Sequence, residues 1–427
     1  MQKRQPALGF IFVTLFLDIL GIGLIAPIGP SLIKSFLSGD AVSVSAQAAQ
    51  YVGWFSAIYA IMQFLFSSLL GSLSDRYGRR PVILISLAGS ALDYLLLAFA
   101  PSLWWLFVGR IIAGLTSANI ATVSAYIADV SPPEKRAQNF GLIGAAFGVG
   151  FIFGPAIGGL LGSVNVRLPF YVVAGITAIN FLYGLFVLPE SLSLENRRAF
   201  SWVRANPVGS LLALAKYPVV LSLTATIVLS GLAQNGLQTI WALYTEHRYA
   251  WTPKDVGWSL GALGLSVAIV QGGLLRVILP KLGEKRAVIF GFAISAIANV
   301  LYGLAPEGWM LYVILFVAGI GAIGGPAAQG LISRSVSAKE QGAVQGTLTS
   351  LQGLTAIFGP LIATNLFGYF ISPQAPIQLP GASFFAGAIF TFIGLLLAVR
   401  AFTSVDFAQN QREANAAALA DQPPVGH

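Results

Sequence analysis

The chain contains no cysteine. Disulfides, zinc–thiolate centres, iron–sulfur clusters and cysteine nucleophiles are thereby excluded. Only two histidines occur, His247 and His427, too few for a histidine-rich metal site or a buried histidine relay. Charge is scarce too. Asp, Glu, Lys and Arg make up 9% of the 427 residues, against about 25% in soluble chains. A soluble enzyme is ruled out by that composition. No G-x-x-x-x-G-K-[ST] loop is present, so nucleotide-driven transport has no support. No nucleophile–base or metal-ligand cluster is found, so an enzyme is not expected, nor is a cofactor or metal.

What is abundant is apolar. Hydrophobic residues account for 56% of the chain. They fall into twelve stretches, roughly 7–29, 50–72, 82–100, 103–128, 139–162, 169–188, 218–241, 256–279, 287–305, 309–332, 341–370 and 382–400. Each is near the ~20 residues that a helix needs to cross a bilayer. Backbone groups in hydrocarbon must be satisfied within the segment, so every span is read as a helix. The fold class expected is all-α and integral to the membrane, with the lipid bilayer as solvent.

Lys and Arg set the orientation. Eighteen of the 24 fall at the N-terminus, in the loops on that same side, or after the last span. Both termini are therefore expected in the cytoplasm. The net charge of +8 is explained by orientation, and nucleic acid is not an expected partner. The first stretch lacks a small-residue cleavage site and reads as a retained helix.

The halves are related. Residues 72–106 resemble 278–312, and Gly78/Gly283, Pro101/Pro306 and Gly154-Pro155/Gly359-Pro360 all sit 205 apart. The division expected is a six-helix bundle over 1–189, a cytoplasmic linker over 190–217, a second bundle over 218–400 and a disordered cytoplasmic tail over 401–427. Duplicated six-helix units are the organisation of transporters that bind substrate between halves near the midplane.

The acids single out a site. Of the 16 Asp and Glu, only Asp18 and Asp93 lie in mid-span. A charge there costs at least about 2.5–3.5 kcal/mol, so each is a functional candidate. Asp18 is eleven residues into the first span, about 16 Å deep. A carboxyl alternating between two aqueous cavities loads and releases a proton. The plainer alternative is a packing acid beside Gly21 and Gly23. Asp93 and Arg110 each lie about eight residues, roughly 12 Å, from the turn at Pro101-Ser102, so they are placed to pair. That pair is either a proton-sensitive switch or a static clamp.

Other candidates are polar or aromatic side chains in apolar spans: Tyr59, Gln63, Asn119, Asn180, Gln234, Asn235, Gln238, Gln271, Asn299 and Gln352. These are candidates for contacting a small-molecule substrate. Interhelical hydrogen bonding is the alternative for any one of them. Gly150, Gly154, Pro155, Gly158 and Gly159 make one span thin and bendable.

GSLSDRYGRRP (71–81) resembles the loop motif between helices 2 and 3 of the major facilitator superfamily. LDILGIGLIAPIGP (17–30), GRIIAGLTSANIATVSAYIADVSPPEKRAQNFG (109–141), GVGFIFGPAIGG (148–159) and LPES (188–191) resemble the tetracycline-type drug:proton antiporters. The resemblance implies twelve helices in two pseudo-symmetric bundles. It also implies a monomer in the bacterial inner membrane that exchanges protons for a drug-like or amphipathic molecule. It makes Asp18, Asp93 and Arg110 the proton-coupling set. Asp75, Arg76, Gly78, Arg79, Arg80 and Asp129 become a cytoplasmic gate, and the Gly150–Gly159 motif goes with antiport. The family places a histidine and an acid in helices 8 and 9 where this chain has Val267 and Ser295. The second half has no mid-span acid, and the repeat counterpart of Asp93 is Ala298. Tetracycline itself is therefore uncertain as cargo. The alternatives are a proton-linked importer or facilitator and a non-transporting membrane sensor or scaffold.

Overall fold

The computed structural model describes residues 8–117, 119–197, 218–336 and 341–403. Residues 198–217 of the linker, residues 404–427 of the tail and the side chain of Asn119 lie outside that description. Among the described residues there is helix and no strand.

The first half comprises α1 (Leu8–Ile25), α2 (Gly29–Lys34), α3 (Ala41–Tyr77), α4 (Arg79–Phe99), α5 (Leu103–Thr116), α6 (Asn119–Val130), α7 (Pro133–Val164) and α8 (Leu168–Val187). The second comprises α9 (Pro218–Tyr249), α10 (Pro253–Ile269), α11 (Leu275–Leu282), α12 (Glu284–Leu304), α13 (Gly308–Gly321), α14 (Gly324–Arg334), α15 (Gln341–Ile371) and α16 (Ala382–Thr403). Among the described residues, ten helical stretches are long and apolar enough to cross a membrane, α13–α14 counting as one. The stretches at 103–128 and 256–279 are also helical but interrupted.

Three interruptions depart from the continuous spans expected. The chain leaves helical geometry at Ser117 (φ −76°, ψ 79°) between α5 and α6. It tightens at Ala322 between α13 and α14, where the N–H of Ala322 bonds Gly319 only three residues back. It widens into a π-helical turn at Val270–Leu274. Two helices run past the expected ends. α3 starts at Ala41 and α9 continues to Tyr249. Hydrophobicity marks only the part of a helix in hydrocarbon, while the helix continues into the polar interface. Asp40 opens α3 by accepting the N–H groups of Val42 and Ser43, each at 3.0 Å. The Ser43 N–H holds that carboxyl below the usual carboxylate range.

The internal repeat is visible in the backbone. α12 begins and ends 205 residues after α4, and α13 does the same relative to α5. Each of these helices α4 and α12 follows a glycine with positive φ, Gly78 at +112° and Gly283 at +77°.

Two compact units are found. The first contains Met1–Asn206, Thr239–Leu265 and Pro360–Pro380, and the second Pro207–Gln238, Ser266–Gly359 and Gly381–His427. The first unit thus includes the last third of α9, most of α10 and the end of α15. Its core packs Phe10, Leu15 and Ile19 of α1 against Ile83 and Leu87 of α4, Val123 and Tyr126 of α6 and Ala146 of α7. The second has its own core, in which Val220 and Leu223 of α9 meet Val288 and Phe292 of α12, Ala327 and Leu331 of α14 and Ala398 of α16.

The two repeat glycines predict different costs. A left-handed backbone strains an L residue by about 1–2 kcal/mol. At Gly78 a Cβ also overlaps the Glu190 carboxylate, whereas at Gly283 nothing lies within 4 Å. Gly78→Ala is expected to lower the thermal midpoint of the purified protein more than Gly283→Ala. Equal losses would show that the overlap is irrelevant.

Candidate functional site

The first unit holds both mid-span acids and Arg110. Asp93 on α4 is 1% exposed. Arg110 Nε on α5 donates to its Oδ1 at 3.2 Å, and Nη2 donates to Oδ2. The approach is possible because residue 109 is glycine: a Cβ there would stand 2.6 Å from Asp93 Oδ1. The guanidinium also lies over the rings of Phe55, at 4.9 Å, and Tyr59, at 5.6 Å, both on α3. Carboxylate and aromatic faces together neutralise a cation that hydrocarbon alone would reject.

The polar set continues from Tyr59. Its hydroxyl lies 3.1 Å from Ser117 Oγ, and Gln63 Nε2 donates to the same Ser117 oxygen at 2.8 Å. Ser117 is the residue where α5 ends. Non-helical backbone at membrane depth persists only where protein or a water-filled space receives it. Here the Ser117 N–H bonds Gly114 O at 3.3 Å, while Tyr59 and Gln63 hold the Ser117 side chain at the break. Asp18 on α1 is half-buried and lies within electrostatic reach of the Tyr59 and Tyr94 phenols. Tyr94 projects onto Gly21, where a Cβ would come within 2.5 Å of its oxygen. Tyr59, Gln63, Asp93 and Arg110 are therefore linked by direct contacts, with Asp18 within electrostatic reach of Tyr59.

The remaining described substrate candidates have other partners or surroundings. Asn180 on α8 is buried, and its Oδ1 accepts from Thr14 of α1 at 3.5 Å. In the second unit, Asn235 Nδ2 donates to Gly231 O at 2.9 Å and Thr355 Oγ1 at 3.1 Å. Asn299 is buried and donates to Ser295 O at 2.9 Å. Gln234, Gln238 and Gln271 are exposed, Gln271 within the π-helical turn, and Gln352 is half-buried.

The glycine motif has a defined packing partner. Gly150, Gly154 and Gly158 line one face of α7 against Ile19–Leu24 of α1. A Cβ on Gly154 would meet Leu20 O and Gly23 Cα, each at 2.9 Å. Gly159, on another face, meets Gly257 of α10, whose absent Cβ leaves room for Pro155 O. Pro155 has no N–H for Phe151 O, and Gly264 faces that carbonyl, where a Cβ would stand 2.8 Å from the oxygen.

The Gly78 turn carries a second charged cluster. Arg79 Nη1 donates to Asp75 at 2.5 Å and Ser74 at 2.7 Å, while Nε donates to Asp129 at 3.1 Å. Arg76 instead lies over the Tyr77 ring. Gly78 has no side chain to cap α4. Glu190 does so from beyond the end of α8, accepting the N–H of Arg79 at 2.8 Å and of Arg80 at 3.2 Å. An anion at a helix N-terminus is favoured by the orphan donors and the dipole. The Arg80 side chain reaches back to Leu185 O.

Three participants escape the sequence reading: Ser117, Tyr94 and Glu190. A polar residue interrupting an apolar run was available as a signal for Ser117. Glu190 was visible as a loop acid within the LPES stretch, with nothing to indicate its partner on α4. Tyr94, one aromatic in a chain rich in them, carries no sequence signal.

The sequence profile of the Major Facilitator Superfamily matches residues 11–282 and 249–423. The chain belongs to the Major Facilitator Superfamily. Within it, the chain is 40% identical over 370 residues to tetracycline resistance protein class C of Escherichia coli, covering 86% of this chain and 91% of that one. It is 39% identical to the class D protein of Salmonella ordonez, covering 93% and 96%. Among solved structures it resembles the human organic anion transporter MFSD10 (TETRAN), with a TM-score of 0.68, 25% identity and coverage of 92% and 100%. This superfamily member is thus a multi-pass membrane protein of the tetracycline-resistance-like group.

Two predictions arise. Removing one partner of a buried ion pair costs about 3–5 kcal/mol, whereas an apolar replacement of both is often tolerated. The repeat supplies that replacement, because the counterparts of Asp93 and Arg110 are Ala298 and Leu315, both buried. Asp93→Ala and Arg110→Leu are each expected to depress the thermal midpoint, and the double variant to recover much of it. An additive loss in the double variant would overturn the pairing. On α7, Gly154→Ala is expected to cost about 1–3 kcal/mol by overpacking. Gly148→Ala, where nothing lies within 4 Å, should cost little; equal midpoints for the two variants would refute close α1–α7 contact.

Proposed function

We propose that the chain is a proton-coupled antiporter that exports a drug-like or amphipathic small molecule across the bacterial inner membrane by alternating access. The observation that carries this reading is the linked set of Tyr59, Gln63, Asp93 and Arg110, with Asp18 within electrostatic reach of Tyr59, inside an apolar unit. Asp18 is the proton site in this reading, and the Asp93–Arg110 pair is the element whose strength follows its protonation. Protonating Asp93 removes the counter-charge of Arg110. The guanidinium is then held by Phe55 and Tyr59 alone, and α5 is less tightly tied to α4.

The bundles over 1–189 and 218–400 are the two moving halves. The second-unit residues Gln234, Asn235, Gln238, Gln271, Asn299 and Gln352 serve with Tyr59, Gln63, Asn119 and Asn180 as substrate contacts. The Asp75–Arg79–Asp129 cluster, with Gly78, Arg76 and Arg80, is the gate at the basic side. The distribution of Lys and Arg supports a cytoplasmic location for that side and for both termini. A monomer suffices for such a cycle. The tetracycline resistance proteins among its relatives favour a drug as cargo. Val267 and Ser295, standing where a histidine and an acid are expected of tetracycline exporters, leave the drug's identity to assay.

The test is uptake into everted proteoliposomes under an imposed pH gradient, with tetracycline and a panel of dyes. The native protein is expected to accumulate at least one compound only when the gradient is present. Asp18→Asn and Asp93→Asn should each abolish the dependence on the gradient. If both variants retain gradient-driven uptake, the coupling assignment is wrong.

A further inference from the structure

The first unit contains a cavity of about 430 Å³ far from the charged set, at the end opposite the Gly78 turn. Pro27 and Ser31 form one wall, before and within α2. The other wall is the α9–α10 connection, with Glu246, Trp251 and Pro253. All of these residues belong to one compact unit.

Its chemistry is specific. Glu246 is the only charged residue in the lining. The opposite partner of its carboxylate is Lys34 at the end of α2, with Nζ 2.9 Å from Oε2. Lys34 is itself outside the lining. Trp251 contributes a half-buried indole, held by the ring of Tyr249 at 5.9 Å, which in turn meets Tyr244 edge-on at 5.8 Å. The wall is bent by a strained residue. Ala250 has φ +54°, the one positive φ outside glycine among the described residues. That conformation costs an L residue energy, and such strain clusters at ligand sites. Here it folds Trp251 back over the last turn of α9, so that its N–H approaches Thr245 O at 3.4 Å.

A carboxylate and an indole bordering one cavity of mixed polar and apolar lining make a receptor for a cation that carries an apolar body. We propose that this cavity is a second binding site, separate from the charged set around Asp18, that takes amphipathic organic cations. Glu246 is the counter-ion and Trp251 the aromatic face. Lys34 is an internal competitor for the same carboxylate. A bound cation takes over the charge that Lys34 now satisfies, and releases α2 from α9 as it does so.

The competitor gives the test its sign. The purified full-length protein is titrated with tetraphenylphosphonium by equilibrium dialysis, with empty micelles as blank. Tetraphenylborate, of the same shape and opposite charge, is the control. Saturable binding of the cation and none of the anion is expected. Glu246→Gln should weaken binding by about tenfold or more, the scale of a charge-assisted contact. Trp251→Ala should weaken it about fivefold, the scale of a cation–π contact. Lys34→Met should tighten binding, a gain that misfolding cannot produce. Asp18→Asn should leave it unchanged, which separates this site from the proposed proton site. Binding that is indifferent to Glu246→Gln, weakened by Lys34→Met, or equal for tetraphenylborate would overturn the proposal.

Discussion

Asp93 and Arg110 hold each other in a place where neither could remain alone. Hydrocarbon penalises both charges, and the pair survives because geometry is supplied from three directions. Gly109 removes the methyl that would push the carboxylate away. Phe55 and Tyr59 offer the guanidinium their ring faces. Tyr59 in turn shares Ser117 with Gln63 at the point where α5 stops. Helices α3, α4 and α5 are thus fixed to one another by a single neutralised charge.

The duplicated half shows what this arrangement adds. α12 and α13 reproduce the lengths and spacing of α4 and α5, yet Ala298 and Leu315 stand where the ion pair would be. Apolar packing is therefore sufficient to build that corner of the fold. The charge in the first half is extra chemistry placed on a backbone that does not need it. Glycine plays a comparable part between α1 and α7, where three glycines one turn apart exchange side-chain volume for backbone contact.

Much of this was legible from residue order. All twelve apolar stretches are helical among the described residues, ten of them within stretches long and apolar enough to cross a membrane, because length and hydropathy decide the matter in lipid. Counting residues from Pro101 placed Asp93 and Arg110 at one depth, since a helix rises uniformly. The breaks at Ser117, Ala322 and Val270–Leu274 were hidden, because hydrophobicity reports where a segment lies and not how its backbone winds. Tyr94 and Glu190 were hidden for another reason. Each acts on a helix distant in sequence, Tyr94 on α1 and Glu190 on α4, and single-chain periodicity holds no information about such partners.

The Glu190 cap has a mechanical corollary. One carboxylate closes the start of α4, the helix bearing Asp93, yet it sits on the stretch of chain that runs onward into the linker. The connector is consequently a lead attached to the root of that helix. Tension on it is passed to α4 through the two N–H bonds that Arg79 and Arg80 donate to Glu190.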